Sequence, residues 1–269
     1  MSICRDPLLS YLNKDGYNVV RRPRGGIAPL DVLGQLDRNP EWLGELSQIW
    51  KSSATKPVPG PERPVADIKI SEDKCVTSLL SFAVGSELLD QVLQGFGASL
   101  PSVSFALNRT SRFSFKVNSP TCSSIAPFVI GDFLSKGELN TKNPFVRRYF
   151  TGEEARTFVI SDVLLSKSIT ITAQRGSDGK ASIDAKALQD IVSAESSLKI
   201  ASSTEEGITF NGSTGIAFGF KAFEIGFMNG LWNVDSTLPS PDDALLGDGV
   251  NEPILADPVL FNSGQPISL

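Results

Sequence analysis

Residues 158–173 read FVISDVLLSKSITITA. Phe158 to Leu165 is apolar apart from Ser161 and Asp162, and Ile169, Ile171 and Ala173 then alternate with Thr170 and Thr172. Period-two alternation in β-branched and aromatic residues describes a strand with one apolar and one polar face, here long and interrupted. Upstream, Val103, Phe105 and Leu107, then Phe113, Phe115 and Val117, alternate with Ser, Ala, Arg and Lys in the same way. Asp67–Ile70 and Val76–Val84 are further strand candidates, as are Leu198–Ile200, Ile208–Phe210 and Ile216–Phe227. Ser86 caps a short amphipathic helix, and Asp184–Val192 reads as another. A layout of strand pair, short helix and strand pair therefore occurs twice, at about residues 67–118 and 157–212, without visible identity between the halves.

Before this β-rich region the pattern is mixed. Asp6 and Pro7 open a helix carrying Leu8, Leu9 and Leu12 and stopped at Gly16; Tyr17–Arg21 follows as a short strand broken by Pro23 and Gly25-Gly26. Pro29 is expected to open a second helix with Leu30, Leu33 and Leu36, and Glu41–Trp50 a third. Lys51–Pro64 is a Pro-rich stretch expected to be a surface loop that does not pack, and 126–134 and 144–150 are short helices. After Trp232 the texture changes. Asp235–Gly249 (DSTLPSPDDALLGDG) is acidic and rich in Pro and Ser. Beyond it, apolar residues are spaced by Pro253, Pro258 and Pro266. Proline blocks regular helix, so this tail is expected to lie extended with its apolar residues pressed into grooves of the body.

The chain has 269 residues, 41% of them hydrophobic, enough for a substantial core. Histidine is absent. That removes Ser-His-Asp and Cys-His catalysis and most zinc or iron sites, so an enzyme is not expected. The three cysteines, Cys4, Cys75 and Cys122, have no metal-type spacing and read as free thiols of a reducing compartment. The start lacks the features of a signal peptide and there is no long apolar run, so the expected starting compartment is the cytoplasm. The net charge of −5 is uneven. Arg5, Lys14, Arg21, Arg22 and Arg24 face only Asp6 and Asp15 at the N-terminus, whereas 235–269 holds six acids and no Lys or Arg. Losing all of 235–269 would take the charge from −5 to +1; a cut near Gly247 would leave −2. On charge alone both ends read as ordinary solvated faces; an anionic surface meeting the basic end is the sharper reading.

At Cys4-Arg5-Asp6-Pro7-Leu8-Leu9, Tyr11-Leu12, Gly16-Tyr17-Asn18-Val19-Val20-Arg21 and Pro23 the sequence resembles the N-terminus of bacterial gasdermins. Ala217-Phe218-Gly-Phe220-Lys-Ala-Phe223-Glu224 and the general layout are similar to the gasdermin pore-forming domain. The resemblance implies an α+β fold, a twisted, largely antiparallel central sheet with peripheral helices. It implies a body (1–234), an exposed protease-sensitive linker (235–249) and a C-terminal autoinhibitory peptide (250–269). It further implies that a protease cuts near the C-terminus, after which the body inserts two β-hairpins per subunit and assembles into a large pore in the inner membrane. The outcome would be cell death in defence against phage. Animal members carry a large C-terminal repressor domain where this sequence has only a tail.

On the residues alone 103–117 and 158–173 read as ordinary half-buried strands. The resemblance implies that they, with partners 67–84 and 196–212, are the inserting hairpins, and both are long enough for the roughly nine to eleven residues a membrane strand needs. Four strands cannot close a barrel, so insertion would require self-association. Cys4, at the lip of an amphipathic helix, is an S-palmitoylation candidate, and the matching cysteine of the family is acylated. No other cofactor is expected. The scissile bond is expected after Leu245, Leu246 or Asp248, and Ile254, Leu255, Val259, Leu260 and Phe261 are the expected anchors of the inhibitory peptide. Partners would be an activating protease and anionic inner-membrane lipids, with no nucleic acid. Two other readings stay open on the residues alone, a carboxylate-dependent hydrolase and a non-enzymatic β-rich binding module.

Overall fold

The computed structural model describes residues 12, 14–36, 40–65, 113–152, 155–173, 198–203, 207–228, 231–234, 258–261, 267 and 269. Two long strands dominate it: β9 (Arg156–Ala173) and β11 (Gly207–Met228), antiparallel along almost their full length. Around them run β1 (Asn18–Arg24), β2 (Asp31–Gln35) and β3 (Glu41–Glu45), giving the order β1-β11-β9-β2-β3. Further strands complete ten in this sheet among the described residues: β5 (Arg63–Pro64), β6 (Phe113–Asn118), β7 (Thr121–Ser124), β10 (Leu198–Ser203) and β12 (Leu231–Val234). A separate ribbon pairs β4 (Trp50–Ser52) with β8 (Gly137–Leu139). All the paired strands in these ladders are antiparallel, and the helices α1 (Leu46–Ile49), α2 (Pro127–Ser135) and α3 (Pro144–Thr151) are short. The expected α+β fold with a largely antiparallel sheet is therefore the observed one.

β9 and β11 are long because their residues serve both faces. Phe158, Val159, Ile160 and Val163 are all buried, as are Ile216, Ala217, Phe220 and Ala222. One face packs on a core of Trp50, Ile130, Phe133, Leu134 and Val146, where α2 and α3 lie. Trp50, Phe150 and Trp232 meet there edge to face or tilted, 5.6–6.2 Å apart. The other face forms a second core with Val20, Ile27 and Leu33. A smaller cluster of Leu12, Val19, Leu164 and Phe218 lies beneath the N-terminal helical turn.

The β9–β11 ladder is not uniform. Asn211 opposes Ser168 and Ile216 opposes Ser166, so β11 spends five steps where β9 spends two. Ser166 fills the kink: its Oγ lies within hydrogen-bond reach of the carbonyls of Asn118 (2.7 Å) and Ser168 (2.9 Å) and accepts from the Ser168 N–H (3.0 Å). Beyond the kink β6, β9, β11 and β10 lie side by side. These are the described parts of the candidate membrane hairpins; 67–84 and 103–112 fall outside the described residues.

Several local expectations are corrected. The helix expected from Pro29 is a turn followed by β2. Pro29 occupies the second position of a tight turn, Leu30 takes φ 76°, and the Ala28 N–H donates to the Asp31 carboxylate (2.9 Å). Val32 and Leu33 are both fully buried, which a one-sided helix would not require of adjacent residues. The helix expected over 41–50 is β3, one turn of helix and β4, because Glu41–Glu45 pairs with β2 and Gly44 (φ 133°) bulges that pairing. Lys51–Pro64 is not a free loop. Pro57 is buried, the Gly60 N–H donates to Ser124 O (2.9 Å) and the Val65 N–H to Pro120 O (2.9 Å). Ile208–Phe210 and Ile216–Phe227 are one strand, since Asn211–Gly215 stays extended within β11. Gly16 does end the first helical turn, with φ 79° and the Leu12 carbonyl accepting from Asp15 (3.1 Å) and Tyr17 (2.8 Å).

Candidate functional site

The segment after residue 257 returns to the start of the chain. Val259 donates its N–H to Ala222 O at 2.8 Å, and its carbonyl accepts from Asn18 Nδ2 at 2.8 Å. Two residues on, the Phe261 N–H donates to Asn18 Oδ1 at 3.0 Å. Pro258 sits against Gly16, with a ring carbon 2.3 Å from where a β-carbon on that glycine would be. Further along, the Ile267 N–H donates to Val19 O at 2.8 Å and Ile267 bridges Val20 in parallel.

The side chains follow the backbone. The Phe261 ring stands edge-on to Phe158 with centroids 4.5 Å apart, and lies 6.3 Å from Phe220. Val259, Phe261 and Leu269 pack on the core of Val20, Leu33, Phe158 and Phe220, while Ile267 is inside it at 3% exposure. Leu260, between two inward-facing residues, is half-buried and belongs to no core cluster of the described residues. That alternation is what an extended chain gives. Apolar burial of this kind contributes about 1.5–3 kcal/mol for each fully covered side chain.

Next to the clasp lies a polar cluster on the outer face. The Tyr17 hydroxyl is 3.6 Å from Cys122 Sγ, which is 3.9 Å from Asp162 Oδ1, and Lys221 Nζ stands 4.5 Å above the Tyr17 ring. Burial, then the contact with Cys122, pushes the Tyr17 phenol above its ordinary value. Burial also pushes the Cys122 thiol up, and that is the direction of an unreactive cysteine. No group of three or more metal-ligating side chains is present among the described residues, and none of their helices is long and apolar enough to cross a membrane.

Of the expected anchors, Val259, Leu260 and Phe261 are described, and two of the three pack on the core. Ile254 and Leu255 lie outside the described residues, as do Cys4, Arg5 and the expected cleavage residues Leu245, Leu246 and Asp248. Lys14 is exposed at the end of the helical turn; Arg21, Arg22 and Arg24 lie on β1, the strand the tail embraces. Sequence reasoning missed Gly16 and Asn18 as parts of the site. Gly16 was legible as a helix stop, but nothing local marks Asn18, whose partners lie 241 and 243 residues away.

These features define an antiparallel-sheet protein whose own C-terminal segment is clasped across its first strand. Comparison with known proteins gives the class a name. The sequence profile of the Bacterial Gasdermin Family matches residues 20–240. A gasdermin from Vitiosangium sp. is 32% identical over 269 residues, covering 100% of this chain and 99% of the relative. A gasdermin from Lysobacter enzymogenes is 25% identical over 232 residues, covering 85% and 83% respectively. The solved structure of a bacterial gasdermin from Bradyrhizobium tropiciagri superposes with a TM-score of 0.55 at 17% identity, covering 86% of this chain and 91% of that one. The chain belongs to the bacterial gasdermin family. Members are pore-forming proteins, not enzymes, and they use no cofactor.

Proposed function

We propose that this protein is held inactive by residues 250–269 and that a protease, cutting within 235–249, releases the body (1–234) to form large pores in the inner membrane. The single observation that carries this reading is the clasp: Val259, Phe261 and Ile267 cover the core face of β1, β9 and β11 through non-covalent contacts alone. While the chain is intact, the tail is an intramolecular ligand at high effective concentration. Once the linker is cut, the same contacts must compete with dilution, and the peptide leaves by mass action.

The released body would meet anionic lipid through Arg5, Lys14, Arg21, Arg22 and Arg24, assisted by a palmitoyl group on Cys4. One acyl chain binds membrane only marginally, so it assists insertion and does not anchor the resting cytoplasmic form. The strands beyond the β9–β11 kink, with 67–84 and 103–117, would supply the inserted hairpins. A few strands leave open edges that hydrocarbon does not tolerate, so pores must be multi-subunit. Loss of the membrane would kill the infected cell and so limit phage.

The test is dye release from anionic liposomes by the full chain before and after cleavage in the linker. Intact protein should be silent, and cleaved protein should release dye with a steep dependence on concentration. Strictly first-order release, or no release after complete cleavage, overturns the reading.

A further inference from the structure

Asn18 is 2% exposed, and both ends of its side-chain amide are used on the tail. Nδ2 donates to the Val259 carbonyl and Oδ1 accepts from the Phe261 N–H, 2.8 and 3.0 Å away. The partners fix which end is which, since the opposite orientation would set oxygen against oxygen and N–H against N–H. A residue in a parallel strand does the same thing with its backbone: it donates to the carbonyl before the opposite residue and accepts from the N–H after it. The Asn18 side chain thus takes the place of a strand neighbour opposite Leu260. Its own backbone remains paired with Phe220 in the β1–β11 ladder.

The seat beside it is shaped as closely. Gly16 has φ 79°, a region that disfavours any side chain, and the Pro258 ring occupies the space where a β-carbon would stand. On the other side Phe261 enters the slot edged by Phe158 and Phe220.

We propose that Gly16, Asn18 and the Phe158–Phe220 slot form a peptide-reading site. It accepts an extended segment with proline first, an apolar residue second and an aromatic fourth, in a single register. The inference deepens the autoinhibition reading and rests on the tail being the restraint. Asn18 is the positioning residue that sets the register. A one-residue slip turns the apolar side chains away from the core and carries the Val259 carbonyl and Phe261 N–H out of reach of the amide. Among the similar-sized replacements only Asn offers a donor and an acceptor in this fork. Asp keeps an acceptor for the Phe261 N–H but sets an oxygen against the Val259 carbonyl; Leu leaves both backbone groups unpaired.

The experiment is amide hydrogen exchange on the full-length protein, following peptides that cover 258–269 and, as reference, 156–166 of β9. Asn18→Asp and Asn18→Leu should each speed exchange in the tail at least tenfold and leave β9 within about twofold of the parent. Leu260→Ala should leave both regions unchanged. Tail exchange equal to the parent in Asn18→Asp overturns the proposal, as does acceleration of tail and β9 together, which would make Asn18 a general core residue. Should Asn18→Leu fail to fold, the near-isosteric Asp variant decides. Exchange reports docking and not pore formation. Normal tail protection in a protein that stays silent after cleavage would therefore sink the pore-release reading and leave the reading site intact.

Discussion

The ring of Phe261 meets the ring of Phe158 edge to face at 4.5 Å, joining the tail to the fully buried stretch Phe158–Ile160 of β9. Edge-to-face pairs contribute about 0.5–1.5 kcal/mol beyond the area they cover. Phe261→Ala should therefore loosen the tail by about 2 kcal/mol, a roughly 30-fold rise in its open fraction. Uncut Phe261→Ala protein should leak dye from anionic vesicles well above the parent. Leakage equal to the uncut parent would mean that this contact does not restrain the body.

A second prediction concerns the fold away from the clasp. Gly34 on β2 faces the ring of Tyr149, whose Cδ1 lies 2.4 Å from the place a β-carbon would take. That ring is buried and its hydroxyl donates to Glu41 at 2.7 Å, so it has little freedom to yield. Gly34→Ala should cost about 1–3 kcal/mol, the usual penalty for overpacking. A urea midpoint unchanged from the parent would show that α3 shifts at no cost.

Alkaline pH should weaken the fold through the Tyr17–Cys122 pair. Both groups titrate above their ordinary values in the folded protein, burial being the first cause for each. The folded chain therefore keeps protons that the unfolded chain gives up first. This contribution is complete below the unfolded cysteine value of 9.0 and is lost as pH rises toward the folded values. The urea midpoint should hold steady from about pH 7 to 8.5 and fall above about pH 9; above the unfolded tyrosine value of 10.0 the fall should be less steep in Tyr17→Phe. Equal slopes in the two proteins would remove Tyr17 from the account.

The basic stretch of β1 gives the fourth. Replacing Arg21, Arg22 and Arg24 together by Glu should abolish co-sedimentation of the cleaved protein with anionic vesicles, at about 1 kcal/mol per basic residue lost near the surface. High salt should mimic the effect in the parent. Retained binding would assign those arginines to ordinary solvation.

Sequence alone revealed β9 and the proline-spaced tail, because both announce themselves locally, whereas β11 read as two separate strands. Phe158–Ala173 alternates, and prolines at 258 and 266 forbid helix around Val259 and Ile267. Short helices opened by proline, 127–135 and 144–151, were legible for the same reason. Proline misled at position 29, where it serves a turn, since a first helical turn and a tight turn ask the same φ of it. Trp42, Leu46, Ile49 and Trp50 have helical spacing, yet the first lies on a strand, the next two on one turn of helix and the last on another strand. Tertiary pairing with β2 overrode the periodicity. The residues that hold the tail were the least visible. Asn18 and Gly16 act on partners more than two hundred positions away, and no local window contains both halves of that contact.

The order of synthesis gives that distance a further meaning. Asn18 is made long before Val259, and β12 is finished at Val234, still 25 residues short of it. At about 5–20 residues per second, every new molecule passes roughly 1–5 s with β12 translated and Val259 not yet made. On the proposed reading the clasp is thus among the last contacts of the fold to form, since it can close only once the chain has been made through Phe261.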